Sequence, residues 1–546
     1  MMRKLMLLVL VGLGLTCLPL MAQPGGDVRI IPRPQQAALT STPSHALTTG
    51  RTIHAPAALA AEADYLAEEL AARGLNLKVR HKGRTAGMGI ALSLCDTLTS
   101  PEAYRLDIQP RRVAIAGGSP AGVFYGIQSL LQLLDNAPQA GTALSVGTLS
   151  DAPRYPWRCF MLDEARHFFG REKVLQLLDL MARYKLNRLH WHLTDEQGWR
   201  IEIRRYPRLA AEGGRGDWSH MGQGPARYYT QDDIRDIVAY AARRHIEIIP
   251  EIDMPGHATA ANRAYPEYSS GGTKAHPEFT FNVGKDSTYT YLTDILREVG
   301  GLFPSRYLHL GGDEVAYGID AWRTDPHVQA LIEREGLADV KQAEAYFMHR
   351  MTDSVRTLDK TMAGWDELLD HRPDTASTLI FWWRHDRTAQ LRKSLAGGYR
   401  TVLCPRRPLY FDFIQHASHK WGRVWSGFCP VEDVYAFPDP LLDKCGFSDA
   451  ERSHIVGLQA NLWTERVQNT ERLDFMTWPR LCALAEAAWT QPGRKDFADF
   501  SRRLDDAYRL FDRLGVYYFD TRDPQRHPEP RGAEQAGKDT PMDFRD

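Results

Sequence analysis

Two acidic residues stand side by side in residues 306–315, which read RYLHLGGDEV. The apolar run at the start of this stretch is typical of a buried parallel strand. Gly311 and Gly312 then let the backbone leave the strand, so that Asp313 and Glu314 can approach another group closely. Carboxylates at the end of a buried strand are costly unless they are paired or used, so this pair is a candidate for acid–base chemistry.

Similar side chains follow the other apolar runs of the chain. Each run ends in acids, aromatics or an arginine: Asp163 and Arg166, Asp195, Glu251 to His257, Trp365 to Glu367, Trp382 to Arg384, Tyr410 to Asp412, and Trp463 to Glu465. Several tryptophans with several carboxylates and an arginine suit a sugar, whose ring faces stack on indole and whose hydroxyls bind charged groups. A phosphate substrate would call for more basic residues.

The elements that must position these side chains are alternating strands and helices. We predict strands over residues 158–162, 188–193, 246–250, 307–311, 361–364, 378–382, 401–404 and 455–461. Amphipathic helices are predicted between them over 171–185, 231–244, 287–299, 340–358 and 388–396. Eight such units predict an α/β fold, a (β/α)8 barrel with its chemistry at the C-terminal ends of the strands. A doubly wound open sheet is the alternative, but no glycine-rich phosphate loop follows the first strand.

The barrel is predicted over residues 151–495 and is preceded by a smaller unit. Residues 28–150 indicate an α+β domain, with strands at 104–108 and 112–116 and helices at 57–72 and 122–134. This domain offers no catalytic cluster and is interpreted as a support for the barrel. Residues 496–546 are assigned to a C-terminal helix and a tail, and the tail is expected to be disordered or loosely docked from about Thr521 because it is rich in Pro, Arg, Asp and Gly.

Composition and the N-terminus limit the class of protein. The chain has 546 residues and a formal net charge of -1, so no basic field points to nucleic acid or an anionic membrane. Arg3 and Lys4 precede an apolar run to Leu20, which predicts a secretory signal peptide over residues 1–22. That run is short for a membrane span, and a lipoprotein site at Cys17 fits its neighbours poorly. We expect an exported protein, periplasmic or extracellular, with no membrane span.

Cysteines and histidines give no convincing metal site. The other six cysteines contain no CxxC pair, so a cysteine zinc site is disfavoured, and whether Cys429 and Cys445 pair is left open. His190 and His192 are two residues apart on a predicted strand and face the same side. Buried, hydrogen-bonded histidines in the barrel wall are a better interpretation than metal ligands.

At this point the chain resembles the family 20 glycoside hydrolases, the β-N-acetylhexosaminidases. The resemblance covers roughly residues 28–495 and rests on LDEARH at 162–167, HWHLTD at 190–195, PGH at 255–257, HLGGDE at 309–314, YFD at 410–412 and LWTE at 462–465. It implies a retaining mechanism without an enzyme nucleophile, in which the acetamido group of the substrate attacks the anomeric carbon.

The resemblance also implies roles for individual residues. Glu314 would be the general acid and base, Asp313 would orient the acetamido group, and Tyr410 would donate a hydrogen bond to it. His257 and Asp195 would form a relay that tunes Glu314. The remaining assignments are substrate-binding: a pocket for the acetamido methyl (Trp365, Trp383, Trp463), a grip on O3 and O4 (Arg166), and the O4/O6 side (Asp412, Glu465). This chemistry requires no metal and no organic cofactor.

The function expected from the sequence is therefore an exo-acting hydrolase that releases terminal β-linked GlcNAc or GalNAc. A lacto-N-biosidase, or an enzyme for sulfated or chitin-derived ends, is a second possibility because the loops set the substrate's length and linkage. A non-catalytic carbohydrate-binding protein on the same fold is a third, although pure binding needs no general acid. The expected partner is a carbohydrate, and the oligomeric state is left open.

Overall fold

The computed structural model describes residues 28–81, 89–136, 143–424 and 427–532. The predicted signal peptide over residues 1–22, with Cys17, lies outside the described residues, as does the end of the predicted tail from residue 533. Within the described ranges, no helix is both long enough and apolar enough to cross a membrane.

The N-terminal domain is a seven-stranded mixed sheet with two helices. The strand order is β1-β7-β5-β6-β4-β2-β3, and the ranges are β1 Gln36–Ala46, β2 Thr52–His54, β3 Lys78–Arg80, β4 Gly89–Leu94, β5 Tyr104–Gln109, β6 Arg112–Gly117 and β7 Ala143–Asp151. The helices are α1 (Ala60–Ala72) and α2 (Pro120–Asp135). Every second residue of β5 is buried, namely Tyr104, Leu106 and Ile108, because one face of the sheet packs on the helices.

The second domain is a closed barrel of eight parallel strands, so the predicted (β/α)8 fold is confirmed. The strands are β8 Trp157–Asp163, β9 Arg188–His192, β10 Glu247–Glu251, β13 Tyr307–His309, β14 Thr361–Trp365, β15 Thr378–Trp382, β16 Arg400–Leu403 and β17 Ile455–Leu462. The excursion after β10 contains a two-stranded ribbon, β11 (Ser269–Gly271) and β12 (Thr280–Phe281). Strand β8 is buried along its whole length, which explains why apolar runs located the strands well.

Helices surround the barrel and fill the loops at its ends. Their ranges are α3 Arg171–Arg183, α4 Gln231–Ala242, α5 Thr259–Ala264, α6 Asp286–Leu302, α7 Pro326–Glu335, α8 Val340–Arg356, α9 Thr388–Ala396, α10 Arg406–Leu409, α11 Val431–Ala436, α12 Asp439–Cys445, α13 Asp449–Ser453, α14 Thr470–Thr477, α15 Arg480–Trp489 and α16 Phe497–Leu514. Side chains that cap the N-terminus fix where several of these helices begin. Thr230 accepts a hydrogen bond from the Asp233 amide in a capping box, and Asp339 accepts one from the Gln342 amide.

Strand β13 ends at His309, two residues before the predicted end of that strand. The cause is the glycine pair that follows, because Gly311 has φ +67° and Gly312 has φ +87°. A Cβ atom on Gly311 would lie 1.8 Å from Oδ1 of Asp253, so a larger residue would collide with the neighbouring strand end. The two glycines therefore allow the chain to turn inward just before Asp313.

The barrel and the N-terminal domain are joined by buried charges. The Lys185 ammonium contacts the Asp151 carboxylate at 3.2 Å and donates to the Tyr104 hydroxyl at 2.9 Å. The indole of Trp489 donates to the other carboxylate oxygen of Asp151 at 3.0 Å, and its ring lies 4.8 Å from the ammonium. Asp151 thus ties the last strand of the first domain to a barrel loop and to α15.

The chain beyond α16 departs from the expectation for the tail. Residues 521–532 dock on the barrel: Glu529 accepts hydrogen bonds from two backbone amides, and Gln468 donates to the Arg531 carbonyl at 2.7 Å. The composition predicted disorder or loose docking because the segment has too few apolar residues to form a core of its own. The segment is instead held by polar contacts to the barrel loops.

The cysteine question left open by the sequence has an answer within the described residues. Cys429 and Cys445 are both free thiols, as are the other four described cysteines. The Cys429 thiol is buried and burial raises its pKa to about 12, so it behaves as an apolar side chain.

Asp151→Asn is expected to lower the free energy of unfolding by about 3 kcal/mol or more, because it leaves the buried Lys185 ammonium without a counter-charge. Urea denaturation would measure the change. Asp96→Asn, at an exposed position of the same domain, is the matched control and should change stability by no more than about 0.5 kcal/mol. Equal stability of the two variants would show that the interdomain ion pair contributes nothing.

Candidate active site

A cleft opens at the C-terminal mouth of the barrel and encloses about 700 Å³, counting the part open to solvent. Nine of the residues predicted from the sequence line it: Arg166, Asp195, His257, Asp313, Glu314, Tyr410, Trp383, Trp463 and Glu465. The two remaining predicted residues, Trp365 and Asp412, lie directly behind this lining. The strand ends therefore converge on one site, as expected for a barrel.

Asp313 and Glu314 occupy the turn that the two glycines allow. Glu314 itself adopts the left-handed region at φ +50°, which brings both carboxylates to the cleft although neighbouring residues on a strand would diverge. Burial raises the pKa of Glu314 to about 7, with a further increase from the Asp313 carboxylate and a partial decrease from His257. A carboxyl group with this pKa holds a proton near neutral pH and can donate it.

His257 connects the two acids to the barrel wall. Its Nδ1 lies 3.1 Å from Oδ1 of Asp195, and its Nε2 lies 3.8 Å from Oδ2 of Asp313 and 3.6 Å from Oε2 of Glu314. Burial disfavours the charged ring, but the Asp195 and Asp253 carboxylates hold the pKa of His257 well above its usual value. A positive imidazolium therefore faces both acids and limits how far burial can raise their pKa values.

Asp195 is the carboxylate on which this histidine depends. Its oxygens contact Nη2 of Arg166 at 2.8 Å, Nε2 of His192 at 2.8 Å and Nδ1 of His257 at 3.1 Å. Burial opposes ionisation, but Arg166 and His257 keep the pKa of Asp195 well below its usual range. Asp195 thus remains an anion, and its neighbours fix the orientation of His257.

A second buried anion, Glu251, lies beneath Asp195 in the barrel interior. Its carboxylate is 2.5 Å from Nδ1 of His192, 3.0 Å from Nε2 of His190 and 2.8 Å from Nδ1 of His309, and it accepts a hydrogen bond from the Trp365 indole at 3.0 Å. Since His192 has a carboxylate at each ring nitrogen, it is held as an imidazolium that donates to both.

The histidines of the predicted strand are thus buried and hydrogen bonded, as expected. Within the described residues, four groups of three His, Asp or Glu side chains bring possible metal-ligand atoms within 4.8 Å of one another, and all four belong to this network around Asp195, Glu251 and Asp253. Their contacts with one another account for the arrangement without an ion. We assign no metal or cofactor to any of these groups.

Aromatic rings form one wall of the cleft. The ring of Trp383 is nearly parallel to that of Tyr410, with centroids 6.2 Å apart, and its indole donates to Glu367 at 2.9 Å. Trp463 packs against Tyr410 at 6.1 Å and against the buried Trp365 at 5.8 Å. Burial raises the pKa of the Tyr410 phenol well above its usual value, so its hydroxyl stays protonated and can donate.

The cleft also holds the two predicted carboxylates Asp412 and Glu465, together with an arginine that the sequence analysis did not identify. Nε of Arg423 lies 2.5 Å from Oδ2 of Asp412, and Nη2 lies 2.6 Å from Oε1 of Glu465. Burial raises the pKa of Asp412 to about 6, and Arg423 partly offsets this, whereas Arg423 and Arg166 lower the pKa of Glu465 against the effect of its burial. The guanidinium thus bridges two groups predicted to bind the same side of a sugar.

Five other residues of the lining were not predicted: Glu196, Trp218, His276, Tyr317 and Arg406. Trp218 and His276 come from long loops that carry no motif. His276 stacks on Tyr317 with a 7° interplanar angle, and its Nδ1 lies 3.0 Å from Oε2 of Glu196. Tyr317 follows Glu314 by one short turn, and that spacing is the one signal that could have placed it at the cleft.

Comparison with known proteins matches both domains to one family. Residues 155–492 match the model described as glycosyl hydrolase family 20, catalytic domain, and residues 27–152 match glycosyl hydrolase family 20, domain 2. A β-hexosaminidase of Porphyromonas gingivalis is 36% identical over 84% of this chain, which matches 60% of that relative's length. A β-N-acetylhexosaminidase of Cellulomonas fimi is 30% identical, with 90% of this chain and 95% of the relative covered.

Among solved structures, the chain is similar to an exo-β-N-acetylglucosaminidase of Vibrio harveyi that was crystallised with N-acetylglucosamine. The TM-score is 0.82 at 32% identity, and the match covers 91% of this chain and 79% of the other. The likeness therefore extends over both domains of the structure described above.

The Glu314 carboxyl is expected to titrate near pH 7, and its pKa should rise in His257→Gln because a facing positive charge is lost. Infrared difference spectra of the protein and its Glu314→Gln variant, taken across a pH series, would isolate this carboxyl signal. His220→Gln, the same substitution at an exposed loop histidine, should leave the titration in place. A midpoint close to that of a free glutamate would contradict the assignment of a buried acid.

Proposed function

The chain belongs to glycosyl hydrolase family 20, and from that membership we propose that it is a retaining exo-β-N-acetylhexosaminidase acting on terminal β-linked GlcNAc or GalNAc. The proposal rests on the Glu314 carboxyl, whose pKa of about 7 suits proton donation, beside Asp313 in a cleft walled by aromatic rings. The activities named for the relatives agree with this proposal.

In the first step, the acetamido oxygen of the bound sugar attacks the anomeric carbon. The bond from that carbon to the leaving oxygen breaks, and the leaving oxygen takes the proton from Glu314. The product on the enzyme is a cyclic oxazolinium ion, with its positive charge spread towards the acetamido nitrogen. The Asp313 carboxylate accepts a hydrogen bond from the N–H of that nitrogen and stabilises its charge. The Tyr410 hydroxyl donates a hydrogen bond to the acetamido oxygen and orients it for attack.

In the second step, Glu314 acts as a base. It removes a proton from water, the water oxygen bonds to the anomeric carbon, and the bond to the acetamido oxygen breaks. Two displacements at the same carbon return the sugar with its original configuration, so the reaction is retaining. Because His257 carries a positive charge opposite Glu314, it stabilises the carboxylate that exists between the two steps.

Recognition of the sugar is divided between apolar and charged side chains of the cleft. Trp383 and Trp463, with Trp365 behind them, offer an apolar surface for the acetamido methyl, and burial of one such group is worth about 0.8 kcal/mol. Arg166 is directed at O3 and O4, while Asp412 and Glu465 are directed at the O4/O6 side. All of these groups are held by neighbours before any substrate arrives, which lowers the cost of ordering them on binding.

A purely carbohydrate-binding protein is the candidate from another class. Binding a neutral sugar gives no reason to place two acids within 4 Å of one histidine and to raise the pKa of one acid towards neutrality. The enzyme is therefore the better account of the cleft. Export from the cell is part of the proposal and rests on the N-terminal sequence pattern.

Hydrolysis of the 4-nitrophenyl β-glycosides of GlcNAc, GalNAc and glucose, compared side by side, tests the proposal. Both N-acetyl sugars should be cleaved and glucose should not, because only they carry the acetamido nucleophile. Cleavage of the glucoside at a similar rate would point to an enzyme nucleophile and overturn the mechanism. If all three fail, release of a disaccharide from a lacto-N-biose glycoside would favour the enzyme with the longer glycone.

Glu314→Gln is expected to lower kcat by about 10²- to 10⁴-fold on substrates with sugar leaving groups, the range typical of general acid catalysis. The loss should be much smaller on aryl glycosides, whose leaving oxygen needs no proton. Asp313→Asn is the informative comparison, because loss of charge stabilisation should slow both substrate classes alike. Identical behaviour of the two variants on both classes would rule out the separate roles.

A further inference from the structure

Arg423 stands at the base of a long loop that the sequence left without an interpretation. The loop leaves the barrel after Asp412, and its return is pinned by backbone bonds: the Arg423 amide donates to the Asp412 carbonyl at 3.0 Å, and the Ile414 amide donates to the Arg423 carbonyl at 3.1 Å. A Cβ atom on Gly422 would lie 2.9 Å from the Asp412 carbonyl oxygen, so the two limbs of the loop are in close contact. Arg423 is thereby aimed at Asp412 and Glu465.

The tip of the same loop is held by the C-terminal segment. Oε2 of Glu529 accepts from the Lys420 amide at 2.6 Å, and Oε1 accepts from the Trp421 amide at 2.9 Å. The guanidinium of Arg531 lies 5.4 Å from the Trp421 ring centroid. One carboxylate thus fixes the two peptide units immediately before the turn at Gly422 and Arg423.

Arg472 links the Glu529 carboxylate to the neighbouring strand end, and we call this set of contacts from Glu529 and Arg472 the clamp. Its Nη1 lies 3.4 Å from Oε1 of Glu529 and donates to the Pro530 carbonyl at 2.6 Å, while its Nε donates to the Arg466 carbonyl at 2.8 Å. Arg466 directly follows Glu465. The buried Arg472 side chain therefore joins the C-terminal segment to the loop that carries the second carboxylate.

We propose that Arg423 is a sugar-recognising residue and that Glu529 and Arg472 position it, so that residues 529–531 belong functionally to the substrate site. The geometry that carries this is the chain of contacts from Glu529 through residues 420–423 to Asp412 on one side, and through Arg472 and Arg466 to Glu465 on the other. The proposal rests on the function proposed above, because it deepens the recognition of the glycone by that cleft.

Charge explains why such a clamp is useful. Asp412 and Glu465 share one guanidinium at 2.5 and 2.6 Å, and without it two buried carboxylates would repel each other and one would take up a proton. Arg423 itself lines the cleft, so the guanidinium that bridges the two acids also forms part of the surface that a bound sugar would meet. The O4/O6 side of the sugar would therefore meet two carboxylates that one cation holds in fixed positions.

The decisive experiment compares Glu529→Gln with the unaltered protein on the 4-nitrophenyl β-glycosides of GlcNAc and of its 4-deoxy and 6-deoxy derivatives. KM for GlcNAc should rise about three- to tenfold with little change in kcat, because a charge-assisted contact that orients the loop is weakened. The fall in kcat/KM on going from GlcNAc to a deoxy derivative should be smaller in the variant, since a misplaced Arg423 recognises the missing hydroxyl less well. Arg423→Lys should show the same pattern more strongly.

Asp523→Asn is the matched control, because it removes one negative charge from an exposed position of the same segment and should leave KM unchanged. A truncation after Gly532 should behave like the full chain, whereas a truncation after Asp523 should reproduce the KM effect. The proposal would be overturned if Glu529→Gln changed neither KM nor the activity lost on removing a sugar hydroxyl. It would also be overturned if that loss were the same as in the unaltered protein while the melting temperature and kcat fell, because the variant would then be only less stable. An unaltered protein that cleaves no N-acetylhexosaminide would instead contradict the proposed function.

Discussion

The interaction on which the site depends is the neutralisation of carboxylates buried at the mouth of the barrel. Taking a carboxylate out of water costs several kcal/mol even after the protein relaxes, so each one needs a cation or several hydrogen-bond donors. Asp195 has Arg166, His192 and His257, and these partners come from three successive strand ends. Satisfying one buried charge therefore fixes the relative positions of three loops, which is the precondition for a site that is rigid before substrate binds.

Glu314 is the informative exception in this network. Its closest cation, His257, lies 3.6 Å away and is shared with Asp313, so burial is only partly compensated. A carboxyl that was fully paired would lose its proton well below neutral pH, and a buried one with no cation nearby would lose it only above neutral pH. Burial, partly offset by this shared imidazolium, raises its pKa to about 7, a value that suits the acid and base roles proposed for Glu314.

The fold and the pair of acids proposed for catalysis could be predicted from sequence because both are local patterns. Apolar runs indicate strands buried on both faces, and the two glycines directly before Asp313 indicate a turn at the acids. Arg423, His276 and Trp218 could not be predicted in this way. Their places depend on how loops of irregular backbone fold over the barrel mouth, and no periodicity constrains those loops. Asp412 and Glu465 were identified, but the arginine that joins them was not, because it lies in such a loop.

The cleft residues near barrel strands and those on irregular loops also differ in what holds them in place. Asp195, His257, Asp313 and Glu314 all lie within six residues of the end of a barrel strand. The bridge between Asp412 and Glu465 is completed by a loop, and that loop is held by a carboxylate more than 100 positions later in the chain. In the proposed function, the acid–base chemistry thus lies close to the barrel strands, whereas part of the sugar recognition lies on segments that can change in length and sequence without disturbing the barrel. A family can then keep one reaction and vary the glycan it acts on by altering loops and termini alone.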